Sequence, residues 1–429
     1  MGMATYSCRS REELRVECVK LIARYEDLCE ENLNLDMSRG KPSKRQLDLV
    51  SDLLTIVTDP ADCIINGNDC RNYGDLAGLK CAREYWADVL GCKPEQTFVG
   101  GNASLSLMYD LIARAYSFGL KDSPRPWCKE ERIKFLCPSP GYDRHFRITE
   151  LYGFEMIVIP MTPDGPDMNM VEELVQDPAV KGIWCVPKYS NPQGISYSDE
   201  TVRRFAGLKP AAKDFRIFWD NAYCVHHIYT DKKDDILNIL EECVKAGNPD
   251  MVYQFASTSK VTFPGSGIAA LSASEANLAD VKKHMTLQTI GHDKINQLRH
   301  VKFLKDAAGI EAHMQKQADV IRPKFEAVLN VLETELGGLG IAQWTNPNGG
   351  YFISFETLEG CAKEVVGKCK EAGVVMTGAG ATFPYGKDPK DSNIRIAPTL
   401  PTPEELAKAA DLFVLCVKLV SVKKLLETK

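Results

Sequence analysis

Residues 215–223 read FRIFWDNAY, an apolar run that ends in Asp220 and is followed by Tyr223. Short, almost wholly apolar runs are typical of strands that are buried on both faces of a sheet. An acidic side chain at the end of such a strand is costly to bury unless a cation or a hydrogen-bond donor meets it. The stretch therefore predicts a buried strand with a candidate functional carboxylate at its carboxyl end. An aspartate that only caps a loop is the alternative for this residue alone.

Five further apolar segments, separated by helical stretches, cover residues 97–100, 132–137, 155–159, 182–186 and 251–256. This alternation predicts an α/β fold with a mixed, mostly parallel sheet between helices. Four polar candidates follow these segments, namely Asn102, Tyr142, Asn191 and Lys260. Because ligands bind at the carboxyl ends of parallel strands, we expect these residues and Asp220 to form one site.

The length of 429 residues favours two domains. Helical spacing of apolar residues predicts a helix within the first 35 residues, and long helical stretches at 278–288 and 293–336. Segments 351–355 and 394–398 are predicted strands of a smaller α+β unit. We expect an N-terminal segment (1–60) that packs with the small domain, a large domain (61–310) and a C-terminal small domain (311–429).

Composition narrows the class of protein. A net charge of −6 with mixed acids and bases disfavours binding to nucleic acid or to an anionic membrane surface. No apolar run approaches the ~18 residues of a membrane span, and we expect no secretory signal at the N-terminus. The fifteen cysteines lack Cys-x-x-Cys spacing. We therefore expect buried free thiols in a reducing cytoplasm, and no metal site.

Lys260 closes the sequence STSK at 257–260. Burial lowers the pKa of a lysine, and the neutral amine can form a Schiff base with an aldehyde and later carry a proton. Asp220 could hold the protonated ring nitrogen of a pyridine and raise its pKa by about 1–3 units. Together the two residues point to pyridoxal 5'-phosphate (PLP). A surface lysine is the alternative, since Lys and Arg number 52 in this chain.

Other residues suit the rest of that cofactor. Tyr223 and Asn191 can hydrogen-bond a phenolate oxygen, and Tyr142 can stack on an aromatic ring. Asn-Pro-Gln-Gly at 191–194 is also an ordinary turn, and a tyrosine in this context can simply pack.

A candidate phosphate-binding site is the helix N-terminus that follows the first predicted strand. Asn102, Ala103 and Ser104 precede a predicted helix at 105–116. The start of a helix carries about half a positive charge and free N–H groups, which favour phosphate. Ser257 can add a hydrogen bond.

These motifs, in this order and over nearly the whole chain, resemble the class I aminotransferases, which are fold-type I PLP enzymes. The resemblance includes Gly40, Asn72-Tyr73-Gly74, the turn at 102–104, Tyr142, Asn-Pro-x-Gly at 191–194, Asp-x-x-Tyr at 220–223, Ser-x-x-Lys at 257–260 and Arg395. The segments SRGKP, GGNASL and DKINQLRH resemble the sequences of a divergent aspartate aminotransferase subgroup.

The resemblance implies transfer of an amino group from aspartate or glutamate to a 2-oxo acid by a ping-pong mechanism. It implies that Arg395 binds the substrate α-carboxylate, with Gly40 and Asn191 beside it. It also implies that Tyr73 reaches the phosphate of a neighbouring subunit, so the enzyme would be a homodimer with a shared active site.

One position departs from the family pattern. The family usually has an arginine eight residues after the lysine, where this chain has Ile268. A phosphate of nearly two negative charges is not balanced by a helix end and hydroxyl groups. We expect a replacement cation, with Lys294 or Arg299 as the candidates.

A second cation would have to bind the distal carboxylate of a dicarboxylic substrate. The sequence offers Arg39, Lys41, Arg144 and Arg299, and each could equally be a solvated surface charge.

Three other functions remain to be weighed. A C–S β-lyase or a decarboxylase of the same fold would use the same cofactor residues. A non-catalytic binding protein could keep the fold, although intact Lys260, Asp220 and Arg395 argue against it. A nicotinamide dehydrogenase needs Gly-x-Gly-x-x-Gly after a strand, which GGNASL does not supply.

Overall fold

The structure, a computed structural model, describes residues 5–31 and 33–429. The α-helices of these residues are α1 (Arg11–Glu30), α2 (Lys44–Asp48), α3 (Lys80–Leu90), α4 (Ser104–Phe118), α5 (Asp143–Leu151), α6 (Met168–Leu174), α7 (Asp199–Ala206), α8 (Ile239–Lys245), α9 (Glu275–Met285), α10 (Lys294–Leu304), α11 (Ala307–Leu336), α12 (Ala362–Glu371) and α13 (Pro403–Thr428).

The strands are β1 (Leu35–Asp36), β2 (Ile64–Ile65), β3 (Asn68–Asp69), β4 (Thr97–Val99), β5 (Lys134–Ser139), β6 (Glu155–Thr162), β7 (Gly165–Pro166), β8 (Val180–Cys185), β9 (Arg216–Asp220), β10 (Val252–Ser257), β11 (Ala269–Ser272), β12 (Ala342–Trp344), β13 (Ile353–Thr357), β14 (Val374–Val375) and β15 (Asn393–Ile396).

A sheet of eight strands forms the larger unit, in the order β4-β11-β10-β9-β8-β5-β6-β7. Its central strands, β10, β9, β8, β5 and β6, are parallel to one another, whereas β11 is antiparallel to both of its neighbours. Every residue of β8, β9 and β10 is buried, because helices cover both faces of the sheet. The predicted mostly parallel α/β architecture is confirmed.

Two features of this unit differ from the sequence-based prediction. Strands β7 and β11 were not predicted, because they are only two and four residues long and the β11 residues Ala-Ala-Leu-Ser are mostly small. The stretch 293–336 is two helices rather than one. Lys305 has a φ of 65°, and the Asp306 side chain caps α11 by accepting from the Gly309 backbone N–H at 2.8 Å. A residue with a positive φ followed by an N-cap ends one helix and begins the next.

The smaller unit contains an antiparallel sheet, β12-β13-β15, packed against α13. The N-terminal helix α1 belongs to the same hydrophobic cluster, into which it buries Leu14 and Leu21. The helix begins at Arg11 because Ser10 and Glu13 form a capping box. The predicted domain boundaries themselves remain a prediction.

Helix α11 joins the two units. Its first turns bury Ile310 and Met314 in a cluster with the large sheet, and its later turns bury Phe325 and Leu332 in the cluster of the small one. A helix of 30 residues is about 45 Å long, enough to run along both.

Within the described ranges, no helix is long and apolar enough to cross a membrane. Among the same residues, no three His, Cys, Asp or Glu side chains gather as a metal site would require.

A buried ion pair lies before the amino end of β9. Asp214 is fully buried, and it accepts hydrogen bonds from Lys181 (2.8 Å), Ser123 (2.8 Å) and the Trp127 indole (2.8 Å). Burial alone would raise the pKa of Asp214, but these donors outweigh it and lower the pKa. A carboxylate with a lowered pKa in the folded state stabilises the fold above its unfolded pKa of about 3.9.

We expect Asp214→Asn to reduce the free energy of unfolding by about 3 kcal/mol, because it removes the nearer of two carboxylates that pair with the buried Lys181 ammonium and leaves it only Glu130, at 4.0 Å. The urea midpoint at neutral pH measures this. The loss should be constant down to about pH 5 and should shrink as the pH falls through the folded pKa. The control Glu359→Gln removes an exposed pair with Lys390 and should cost less than about 1 kcal/mol. An equal, small effect of both variants would contradict this account.

Candidate functional site

Asp220 ends β9 with a carboxylate that is only half satisfied. Its Oδ2 lies 3.1 Å from His145 Nε2, while its Oδ1 is buried and has no hydrogen-bond partner among the described residues. His145 in turn stacks on Trp184, with ring centroids 4.5 Å apart. A buried carboxylate oxygen without a donor is expensive. The arrangement is therefore suited to a ligand that brings a donor to Oδ1.

Lys260 lies in the loop after β10, with its amine enclosed by aromatic rings. Its Nζ is 4.9 Å from the ring centroid of Tyr223 and 5.9 Å from that of Tyr351. Burial lowers the pKa of Lys260, the Asp220 carboxylate opposes this, and Arg395 adds to it. A lysine with a lowered pKa is a better nucleophile towards an aldehyde at neutral pH.

Two tyrosines next to Asp220 remain protonated. Burial raises the pKa of Tyr223 well above its usual value, and the Tyr142 and Asp220 groups add to the shift. Burial, with the charge of Asp220 second, raises the pKa of Tyr142 to about 12. Both hydroxyls can therefore donate a hydrogen bond to a ligand oxygen at neutral pH.

The turn between β4 and α4 presents an uncapped helix N-terminus. Ala103 is the N-cap of α4, and no side chain caps the helix there. Gly101, with a φ of 72°, turns the chain, and its carbonyl accepts from the backbone N–H of Ala269 at 3.2 Å. A Cβ on Gly267 would lie 3.0 Å from the carbonyl oxygen of Asn102, so the turn touches the loop that follows Lys260. Free N–H groups at a helix start suit an anion.

Arg395 projects from β15 of the small domain and is 8% exposed. Its Nη1 donates to Asn191 Oδ1 and to Asp143 Oδ1, both at 3.2 Å, and its guanidinium carbon lies 4.7 Å from the ring centroid of Phe352. Phe352 also contacts Gly40, where a Cβ would come within 2.6 Å of the ring. The guanidinium is thus held rigidly at the domain junction, as recognition of a carboxylate requires.

The candidate replacement cations lie on α10. Ile268 is fully buried and supplies no charge. Lys294 is also buried, and its ammonium donates to Asp75 Oδ2 and to the Tyr73 carbonyl oxygen, both at 3.1 Å. Its charge is thus already paired with a carboxylate. Arg299 is half-buried, and within residues 5–31 and 33–429 it makes no ion pair.

Tyr73 differs from the other predicted site residues, because its side chain is 81% exposed. The exposed residues Arg39, Lys41 and Arg144 also project from the surface, and in the described part of the chain none of the three makes an ion pair. Ser257 is buried, and its hydroxyl donates to Ser259 Oγ at 3.1 Å.

Sequence reasoning missed His145 and Tyr351. His145 lies three residues after Tyr142 at the start of α5, so the helical spacing could have placed the two side chains on one face. Tyr351 comes from a distant segment of the small domain, and no local pattern links it to Lys260.

Cavity volume does not by itself identify this site. A cavity of about 620 Å³ lies between the two units and is lined by Ser139, Gln193 and Glu356, among others. Its lining residues do not include Lys260, Asp220 or Arg395. The candidate site is therefore assigned from its chemistry, namely a half-satisfied carboxylate, a buried amine and a fixed guanidinium.

Comparison with known proteins agrees with the motif order. The aspartate amino-transferase family matches residues 10–429. An aspartate aminotransferase of Corynebacterium glutamicum is 45% identical over 398 residues, which are 93% of this chain and 92% of that protein.

Solved structures share the fold. The crystal structure of an aspartate transaminase from C. glutamicum has a TM-score of 0.96 and 43% identity, covering 98% of this chain and 99% of that one. An α-aminoadipate aminotransferase from Thermus thermophilus, complexed with N-(5'-phosphopyridoxyl)-L-leucine, has a TM-score of 0.73 and 21% identity, covering 92% and 94%. The predicted fold-type I architecture is confirmed. By sequence and by structure, the chain belongs to the aspartate aminotransferase family and is an aminotransferase.

Proposed function

We propose that this aminotransferase uses PLP and that its amino donor is aspartate or glutamate. The observation that carries the cofactor assignment is the buried Oδ1 of Asp220, which has no partner among the described residues. A protonated pyridine nitrogen supplies the missing donor and the opposite charge in one group.

The remaining residues fit the other parts of that cofactor. Lys260 would hold its aldehyde carbon, and Tyr223 and Asn191 would hydrogen-bond its phenolic oxygen. Tyr142 would lie against its ring. The phosphate would meet the start of α4 at Asn102, Ala103 and Ser104, with Ser257 beside it. When bound, PLP supplies an aldehyde for the amino group and an electron-accepting pyridinium ring.

The chain itself supplies binding, orientation and proton transfer. Arg395 binds the α-carboxylate of the amino acid in place of Asp143, whose carboxylate oxygen lies 3.2 Å from its Nη1, and Asn191 fixes the guanidinium. Asp220 keeps a proton on the ring nitrogen. Lys260, once its amine is free, would take the proton from the substrate Cα as a general base and hold it as an ammonium group. The lowered pKa of Lys260 suits this role, since the neutral amine is the base.

A donor with two carboxylates needs a second cation near Arg395, and we propose Arg39. Thr377 connects the two, because its hydroxyl donates to the Ser38 carbonyl oxygen at 2.7 Å and accepts from Arg395 Nε at 3.4 Å. Arg39 follows Ser38 directly and precedes Gly40, which touches Phe352. Its side chain therefore starts beside the α-carboxylate site with no carboxylate partner in the described chain.

We further propose a homodimer with an active site shared between subunits. Tyr73 is 81% exposed, although the family pattern makes it a cofactor ligand. Leu287 and Ile290 are also exposed. Their segment lies next to Tyr73, since a Cβ on Gly291 would lie 2.2 Å from the Gly74 carbonyl oxygen. An exposed patch of large apolar residues is typical of a subunit interface.

Fifteen free cysteines support a reducing cytoplasm as the location.

The visible spectrum of the purified protein tests the proposed function. We expect a yellow protein whose absorbance band is lost when L-aspartate is added without an oxo acid, and returns with 2-oxoglutarate. Yellow protein that releases pyruvate and ammonia from a cysteine conjugate, but does not respond to aspartate, would favour a C–S lyase. Protein that cannot be reconstituted with PLP would contradict the cofactor assignment and favour a binding protein.

Arg39 provides a test of donor specificity. We expect Arg39→Ala to lower kcat/KM for aspartate and glutamate by about 30- to 160-fold, the cost of one charge-assisted contact of about 2–3 kcal/mol. Activity with alanine, which lacks the second carboxylate, should change less than about threefold. The matched control Lys41→Ala should leave both substrates unaffected. Equal losses for alanine and aspartate would show that Arg39 does not read the distal carboxylate.

Lys294 and Arg299 provide a test of phosphate binding. Asn296, between them on α10, donates to the Gly267 carbonyl oxygen at 2.8 Å, so this helix touches the loop after Lys260. We expect Lys294→Ala or Arg299→Ala to weaken PLP binding by about 10- to 100-fold, measured by equilibrium dialysis. The control Lys302→Ala removes a cation that is paired with Asp62. Unchanged affinity in both test variants would rule out either residue as the replacement cation.

A further inference from the structure

Tyr351 connects the small domain to the main chain of Lys260. It precedes β13 and is 1% exposed. Its hydroxyl donates to the Lys260 carbonyl oxygen at 3.3 Å, and its ring lies 6.2 Å from that of Tyr223, centroid to centroid. Burial raises the pKa of Tyr351, so the hydroxyl stays a donor at any physiological pH. The same residue thus contacts the lysine backbone and forms part of the wall around its amine.

Gln46 fixes the position of the Tyr351 hydroxyl. The Gln46 amide nitrogen donates to Tyr351 Oη at 2.9 Å and to Gln317 Oε1 at 3.1 Å. Gln46 comes from the N-terminal segment, in α2, and Gln317 from α11, and both are almost fully buried. With one bond accepted and one donated, the hydroxyl has a single favourable orientation. The N-terminal segment and the Lys260 loop therefore contact the hydroxyl directly, and α11 supports it through Gln46.

The next carbonyl along the chain is held in the same way. His313 Nε2 lies 2.8 Å from the Val261 carbonyl oxygen, and the Gln317 amide nitrogen lies 3.4 Å from it. The His313 ring therefore carries its proton on Nε2 in this arrangement. Buried carbonyls need donors, and here side chains from outside the large sheet supply them at two consecutive residues.

Phe352 extends this connection to the substrate-binding arginine. Phe352 follows Tyr351 directly, and its ring lies 4.7 Å from the Arg395 guanidinium carbon. Two adjacent residues just before β13 thus contact the lysine on one side and the α-carboxylate site on the other. The position of the small domain and the position of the lysine backbone are mechanically linked.

We propose that Tyr351 is a positioning residue for Lys260, and that Gln46 acts through Tyr351. This inference rests on the proposed function, in which Lys260 moves a proton at the substrate Cα. A lysine amine sits on a flexible four-carbon chain, so its reach depends on where its backbone is fixed. Small displacements of a reacting group cost large factors in rate. Tyr351 acts on the proton transfer, while Arg395 governs substrate binding.

Four variants of the full-length holoenzyme test the proposal: Tyr351→Phe, Gln46→Leu, the double variant, and Tyr253→Phe as the control. Tyr253 is a fully buried tyrosine of β10 whose hydroxyl has no partner among the described residues. It matches Tyr351 in burial but lies outside the network. Measurements are the kinetics with L-aspartate, the kinetic isotope effect with aspartate deuterated at Cα, and hydrogen–deuterium exchange of the 257–268 peptide in the protein without substrate.

We expect each single variant to lower kcat by about 3- to 10-fold, the worth of one hydrogen bond, with KM changed less than about twofold. The isotope effect should rise, because proton transfer becomes slower relative to the other steps. The double variant should be no slower than the slower single variant, since both act through one network. Exchange of the 257–268 peptide should accelerate in the test variants but not in Tyr253→Phe.

An unchanged isotope effect and unchanged exchange in Tyr351→Phe would overturn the proposal. A fall in thermal stability and PLP affinity without a rise in the isotope effect would also overturn it, since that is a purely structural role. Failure of the proposed function is separate, because the wild-type protein would then neither bind PLP nor consume aspartate. The exchange measurement reports on the anchoring of Lys260 in either case.

Discussion

A buried carboxylate that is half satisfied within the fold is the constraint on which the site depends. One carboxylate oxygen of Asp220 is hydrogen-bonded to His145, and the other has no partner among the described residues. Such a group can exist at the centre of a protein only where the surrounding structure holds it, because its desolvation is costly. The stacking of His145 on Trp184 and the fully buried strand β9 provide that support.

The other residues of the site lie around this carboxylate, and they come from both the large and the small unit. The large unit places the amine of Lys260, the two protonated tyrosines and the start of α4 at the carboxyl edge of one sheet. The small unit supplies Arg395 and the residues at the start of β13. In the proposed function, substrate recognition and proton transfer therefore belong to different units, and we propose that the polar network around Tyr351 fixes the position of one relative to the other.

Local sequence patterns predicted the parts of the site that each element positions by itself. Asp220 ends one apolar strand and Lys260 follows another. The two strands, and the edge of the sheet that the two residues share, could therefore be predicted with small errors at the strand boundaries. The pairing of Lys294 with Asp75, the placement of Tyr351 and the insertion of β11 could not, because they depend on which distant segments meet. The break at Lys305 was missed because a lysine with a positive φ carries no signal in the sequence.

The role assigned to Asp220 can be tested directly by measuring whether the ring nitrogen of the bound cofactor is protonated. Reconstitution with PLP labelled with ¹⁵N in the ring, followed by solution NMR, reports whether that nitrogen carries a proton. Because the Asp220 carboxylate faces the ring nitrogen, we expect that nitrogen to be protonated from about pH 6 to about pH 8 in the wild-type protein and deprotonated in Asp220→Asn. A deprotonated nitrogen in the wild-type protein at neutral pH would contradict the role assigned to Asp220.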